Sequence, residues 1–261
     1  MKKLESLAQN FLHSFYLHAW PDKNLIPTIE KLTIDEAYAV QNIVNTVRTN
    51  KNERIAGYKV GCTSPAIQSQ FGIKEPIYAP IFHPHIHQQR DLNLSINHYN
   101  KLAIEPEMVI VIKKDISGYK LTDHQIIDSI DYVNIGIELH NYHFWSQPPC
   151  LQELICSGGI HSGLIVGSHK IEPNRLDFKS EVFSVFSDGQ LVLNADASQI
   201  MGGPLLSLRW LIEKLTKNNS GLKQGEIVIP GCPTALFPID KEMQLKVKID
   251  NIGEVEAMFV V

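Results

Sequence analysis

The chain reads as an α+β protein, a mainly β body preceded by a helical arm, and three observations carry that reading. Leu4, Leu7, Ala8, Phe11, Leu12 and Phe15 recur at helical spacing near the start. From residue 55 onward the apolar runs shorten to strand length between glycine and proline breaks. Further on, Asp188-Gly189 joins two strand-like segments between Glu181 and Asp196, a strong hairpin signal. With only two or three helices expected in the body, strands do not alternate regularly with helices, which argues for α+β.

Taken in order, residues 4–20 predict an amphipathic helix ending before Pro21, and residues 21–32, with two prolines, a connector. Thr33 and Glu36 form a capping box ahead of Ala37, Val40, Val44 and Val47, predicting a second helix to about Arg48. The arm spans residues 1–52 and the body 53–261; the arm is too short to bury a core of its own. Ile55–Gly61 predicts a strand entering a Gly-Cys-Thr-Ser turn, and residues 76–90, with three prolines and no periodicity, a loop. A strand at 103–113, a helix at 123–132 capped by Thr122 with Gln125, and a strand at 134–140 follow. Residues 141–161, broken by Pro148-Pro149 and Gly158-Gly159, predict a long functional loop. Pro204 opens a helix with Leu205, Leu208, Ile212 and Leu215 on one face. Strands at 226–229, 244–250 and 254–261 close the chain, the last two paired.

At 261 residues, 44% hydrophobic and 20% charged, the composition is that of a soluble globular protein. A net charge of -4 without a basic cluster argues against a nucleic-acid partner. Cys62, Cys150, Cys156 and Cys232 lack CxxC spacing and read as reduced thiols. Glu5, Gln9, Asn10 and His13 interrupt the apolar run a signal peptide needs, and no stretch reaches membrane-span length. The expectation is a cytoplasmic protein that binds no membrane.

Chemistry concentrates in Ala103-Ile-Glu-Pro-Glu-Met-Val-Ile-Val-Ile112. In a strand, Glu105 and Glu107 project side by side, where two carboxylates repel and burial makes each charge more costly. A shared proton or a bound cation relieves them, and a hard divalent ion suits paired carboxylate oxygens. Glu138, in the short strand Asn134–His140, offers a third carboxylate for Mg²⁺ or Mn²⁺. The alternative is an exposed edge strand, which tolerates Pro106 and solvates its neighbours. Lys59 reads two ways as well, as a buried lysine with a lowered pKa or, favoured by the residues alone, as a snorkelling surface lysine. His83, His85 and His87 alternate in a proline-broken loop, where solvated histidines are a better reading than ligands of a softer metal. Nothing completes GxGxxG, a P-loop or GxSxG.

Together, Gly57-Tyr-Lys-Val-Gly-Cys-Thr-Ser-Pro-Ala66, Glu105-Pro-Glu107, Ile137-Glu138, Ser162-Gly-Leu-Ile-Val-Gly167, Leu208-Arg-Trp-Leu211 and Gly225-Glu-Ile-Val-Ile-Pro-Gly231 form an ordered set. In this the chain resembles the 2-oxopent-4-enoate hydratase and 4-oxalocrotonate decarboxylase group of the fumarylacetoacetate hydrolase superfamily. The likeness extends from the Asp35-Glu-Ala-Tyr38 helix across nearly the whole chain. It implies a mixed β-sandwich or roll with an N-terminal helical arm, a homo-oligomer, and a small 2-oxo acid as substrate. It places Mg²⁺ or Mn²⁺ on Glu105, Glu107 and Glu138, a catalytic lysine at Lys59, and a pocket serine at Ser162. Substrate contacts then fall to Thr63, Ser64, Tyr78 and Gly231.

The chain departs from the family pattern at three places. Ile77 stands where hydratases carry an acidic residue, Gly159-Ile-His161 replaces an Asn-Ala-Ser-like stretch, and Asn141 or its neighbours replace an Asp. His161 then reads either as an acid/base or carboxylate contact, or as an inert replacement. The resulting expectation is a metal-dependent hydratase, with 2-oxo-dioate decarboxylation as the runner-up. C–C hydrolysis would call for a His–Glu pair on a lid, which the sequence does not identify. A non-catalytic binding protein on the same fold is the reading from another class.

Overall fold

The computed structural model describes residues 2–17, 23–88, 92–141 and 149–261. Residues 18–20 of the expected first helix, part of the connector, and Pro148 of the expected loop lie outside these. The arm contains α1 (Lys2–Leu17), α2 (Ile26–Ile29) and α3 (Ile34–Asn50), with α1 packed against α3. The capping box forms as expected: Thr33 Oγ1 accepts from Glu36 N, and Glu36 accepts from Thr33 N. The short α2 falls inside the expected connector because Pro27 is tolerated in a first helical turn.

The body opens with β1 (Ile55–Gly61), α4 (Pro65–Phe71), β2 (Ile77–Phe82), β3 (Ile86–His87) and β4 (Leu92–Ser95). It continues with β5 (Leu102–Ile112), α5 (Asp123–Ile127), β6 (Ile130–Asn141), α6 (Leu151–Cys156) and β7 (His161–Val166). Then come β8 (Val182–Ser187), β9 (Gln190–Asp196), α7 (Pro204–Lys217), β10 (Ile227–Ile229), β11 (Phe237–Pro238), β12 (Met243–Ile249) and β13 (Gly253–Val260).

Several segments differ from expectation for identifiable reasons. The expected 76–90 loop contains β2, whose Pro80 is accommodated because β2 is an edge strand paired to β1. The Gly-Cys-Thr-Ser turn leads into α4, capped by Ser64 and closed by Gly72 in the left-handed region at φ 65°. Within the expected 141–161 loop lies α6, short and buried on four successive residues, too brief for a periodic signal. Conversely, α5 stops at Ile127, since from Ile130 the chain joins β5.

The larger sheet runs β2-β1-β10-β5-β6-β7-β3, with β11 also paired to β5; the smaller runs β4-β13-β12-β8-β9. Between them lies the main apolar core, including Ile110, Ile135 and Leu139 from one sheet and Val185, Val247 and Phe259 from the other. A second core forms where α1, α3, α4 and α6 cover the opposite face of the larger sheet around Ile77 and Ala103. Gln41 of α3 ties the arm in by donating to the carbonyls of Tyr78 and Ile155. This is a mixed β roll with an N-terminal helical arm, as the sequence predicts. All four cysteines are free thiols. Among the described residues no helix is long and apolar enough to cross a membrane.

Candidate active site

Strand register decides which side chains meet beneath the helices. Across the antiparallel pair β5–β6, Glu105 faces Glu138, Ala103 faces His140, and Glu107 faces Gly136. Residues opposite one another, or two apart on one strand, share a face. Glu105, Glu107, Glu138 and His140 therefore all project to the helical side. On β7 His161 lies opposite His140, and β1 carries Lys59 to the same cluster. The edge-strand alternative fails, because β5 lies at the centre of the larger sheet and Glu107 is fully buried. Pro106 is tolerated for a local reason. The flank of β5 away from β6 pairs with β11 at Ile104 and resumes with β10 at Ile110, leaving Pro106 beside a gap in the ladder.

The contacts are dense. Lys59 Nζ donates to Glu138 Oε1 and, at 3.4 Å, to the Gly159 carbonyl. His161 Nδ1 lies 2.7 Å from the same Glu138 oxygen, and His140 Nε2 lies 3.0 Å from Glu105 Oε2 and 3.5 Å from Glu138 Oε2. The Gly231 N–H donates to Glu107 Oε2 at 3.2 Å. Four buried atoms of this cluster are left without a hydrogen-bond partner: Glu107 Oε1, Glu138 Oε2, His140 Nδ1 and His161 Nε2. Orphaned buried acceptors of this kind cost stability and mark a place prepared for something else.

The electrostatics follow from this packing. Burial, then the Glu138 and Glu105 charges, push the Glu107 carboxyl well above the usual carboxylate range. Burial would raise Glu138 too, but Lys59, His140 and His161 outweigh it and hold that carboxyl below the usual range. Burial alone would depress Lys59, as expected for a lysine without an anion nearby. The neighbouring Glu138, Glu105 and Glu107 reverse the sign and hold its ammonium above the ordinary lysine value. Burial pushes His161 down to about 4, leaving a neutral imidazole. An ionised Glu138 can only accept, so His161 Nδ1 carries the proton and Nε2 presents its lone pair.

Backbone geometry holds the walls close. Gly158 and Gly159 both have φ 67°, and a Cβ on Gly159 would lie 3.3 Å from Lys59 Nζ. Ile160 follows at φ 55°, an outlier for a β-branched residue, directly before His161. A Cβ on Gly231 would stand 2.1 Å from Thr63 Oγ1, which requires glycine there.

Of the residues expected at the site, the structure brings together Lys59, Glu105, Glu107, Glu138 and His161, with Thr63 and Gly231 at the border. Ile77 shares a cavity wall with Lys59, Glu105 and His140. Three residues go elsewhere. Tyr78 faces away, because its neighbours Ile77 and Ala79 pair with Gly61 and Lys59 on the site face; it stacks on Tyr38 and bonds Asn218. The Ser64 hydroxyl is occupied capping α4, and Ser162 is the extra residue of a bulge between His161 and Gly163. His140 was not anticipated, yet the i, i+2 rule applied to Glu138 would have found it. A His–Glu pair is present as His161–Glu138, set in the sheet instead of a lid. His85 contacts Glu53 at 3.6 Å, and the 83–87 histidines form no metal-ready group among the described residues.

The donor set fits a divalent cation. Three buried carboxylates surround one lysine, and ligand atoms of Glu105, Glu138 and His140 all lie within 4.8 Å of one another. No protein-family model matches the chain. A 2-keto-4-pentenoate hydratase from Burkholderia vietnamiensis is 23% identical over 223 residues, 85% of each chain. A 2-oxo-hept-4-ene-1,7-dioate hydratase from Escherichia coli is 27% identical over 237 residues, 88% of each. The 4-oxalocrotonate decarboxylase of Pseudomonas putida G7, solved with magnesium and adipate, superposes with a TM-score of 0.91 at 20% identity, covering 99% of this chain and 98% of that one. The chain thus resembles the hydratase and decarboxylase group over nearly its whole length.

Proposed function

We propose that this chain is a metal-dependent lyase that hydrates 2-hydroxypenta-2,4-dienoate to 4-hydroxy-2-oxopentanoate. The observation that carries the reading is the buried set of Glu105, Glu107 and Glu138 against Lys59, with carboxylate oxygens left unpartnered. The names of the similar hydratases support it. Glu105, Glu107 and Glu138 would hold Mg²⁺ or Mn²⁺, which when bound supplies Lewis-acid stabilisation of negative charge on an oxygen.

The chain's own groups handle protons. Hydration moves one proton from the dienol oxygen to C5, which forms the conjugated ketone, and a second to C3 from the water whose OH adds at C4. Lys59, held as an ammonium and aimed into the cluster, carries the proton for the first transfer, and a cation on the neighbouring carboxylates would weaken the anionic field that holds that proton. His161, neutral and with its Nε2 lone pair free, is suited to accept the second, oriented by Glu138. Ile77, Gly159 and Leu154 line the same small cavity as Lys59 and Glu105 and give it an apolar wall.

Ile77 also favours a second reading, decarboxylation of a 2-oxo-dioate. An apolar wall where an acidic side chain would guide water disfavours hydration more than it disfavours loss of CO₂. The test is incubation of the dienol with Mg²⁺ or Mn²⁺ and with EDTA, following its absorbance and identifying the product. Metal-dependent 4-hydroxy-2-oxopentanoate is expected. An inert dienol, with CO₂ released from 2-oxo-hex-3-enedioate, would replace hydration by decarboxylation. Folded protein that binds no metal and turns over neither compound would point to a binding protein.

A further inference from the structure

We infer that His140 is a nitrogen ligand of the metal centre, and that this chain's centre therefore favours a nitrogen-preferring transition ion such as Co²⁺ or Zn²⁺ over Mg²⁺. The inference rests on the metal-dependent reading above and specifies which donors that centre uses.

His140 arrives at the site by register alone. It is two residues beyond Glu138 on β6 and opposite Ala103, whose small side chain leaves the imidazole room beside Glu105. Its Nε2 stands between two carboxylates from neighbouring strands, 3.0 Å from Glu105 Oε2 and 3.5 Å from Glu138 Oε2. One N–H cannot serve two acceptors well. A cation seated among the three atoms would engage Nε2 and both oxygens together. Glu105, Glu138 and His140 form a metal-ready group among the described residues, and Glu107, whose Oε2 accepts from the Gly231 N–H, keeps its Oε1 without a partner. Glu138 Oε2, fully buried and without a hydrogen bond despite the imidazole 3.5 Å away, is a further sign that the space between these groups receives a ligand.

An all-carboxylate set matches hard ions, whereas an imidazole in the set matches Co²⁺, Zn²⁺, Ni²⁺ or Fe²⁺. If His140 only hydrogen-bonded Glu105, its loss would weaken every ion alike. As a ligand, its loss falls selectively on the nitrogen-preferring ions.

The test loads intact protein with Mn²⁺ and records pulsed EPR for nitrogen couplings. It then measures Co²⁺ and Mg²⁺ affinities by calorimetry in the wild type and in His140→Val. The expected result is a directly coordinated ¹⁴N in the wild type that disappears in His140→Val and persists in His161→Ala. Co²⁺ affinity should fall by at least roughly the 10–100-fold that losing an outer-shell partner costs a metal site, with Mg²⁺ affinity changing far less. Should His140→Val fail to fold, His140→Gln keeps the volume without the imidazole. Metal bound without a nitrogen coupling, or Co²⁺ and Mg²⁺ weakened equally, overturns the inference and leaves the metal-dependent reading standing. A wild type that binds neither ion removes both.

Discussion

The two faces of the β5–β6 pair use the same backbone, the same register and the same depth of burial to opposite ends. One face presents Ile104, Met108, Ile110, Ile135, Ile137 and Leu139 to the smaller sheet, each almost wholly removed from water. The other presents Glu105, Glu107, Glu138 and His140 to the helices, equally buried. Apolar burial contributes stability at roughly 25 cal/mol per Å². Buried like charges cost stability unless something neutralises them. The first face offsets the second, which lets one strand pair be both the centre of the core and the floor of the site. A site built on central strands is also held more rigidly than one built on loops.

Breaking the charged face should give the largest effect on activity. In Glu107→Gln, metal-dependent turnover is expected to be lost while the protein stays folded, as read by dienol consumption and circular dichroism; unchanged turnover would refute the three-glutamate site. Lys59→Met should bind metal normally but lose proton exchange at the substrate carbon, followed by deuterium incorporation. Full exchange in that variant would dismiss the lysine.

Breaking the apolar face should show the reverse pattern. Ile110→Ala is expected to cost about 2–5 kcal/mol of stability by denaturant titration, with metal affinity unaltered in the folded fraction. A parallel loss of metal affinity would mean that the two faces are coupled and not merely back to back.

A subtler difference separates the faces in pH dependence. Metal-free, Glu107 has a folded pKa above its unfolded value of about 4.3. The folded chain thus holds that proton more tightly. The stability it contributes is present below the unfolded pKa and is lost as pH rises through the folded value. Glu107→Gln should flatten this decline, and titration of Tm against pH in EDTA would show it; an unaltered slope would assign the decline to other groups. Smallest of all, Thr33→Ala removes the α3 capping box, away from both faces. It should cost about 1 kcal/mol with no change in metal binding.

Much of the fold was legible because local physics specified it. Two capping boxes, the Asp188-Gly189 hairpin and the alternation of Leu245, Val247 and Ile249 each act over a few residues, and each appears where expected. Edges and short elements were not legible. Pro80 concealed β2 because only the sheet order makes it an edge strand, and α4 and α6 are too brief to show a period. At the site, Glu105 and Glu107 announced themselves by alternation, whereas the removal of Tyr78 to the opposite face depended on its register against β1.

By itself the sequence determined which residue types could meet: paired glutamates on a strand, a lysine in an apolar run, and glycines where the backbone must turn tightly. Only the tertiary structure decided that the lysine is buried and paired, that His140 and His161 flank Glu138, and that Glu107 is left partly unsatisfied. The reason is physical. Strand propensity acts along the chain, but charge, desolvation and metal affinity depend on distances across strands that are far apart in sequence, and only the sheet sets those distances.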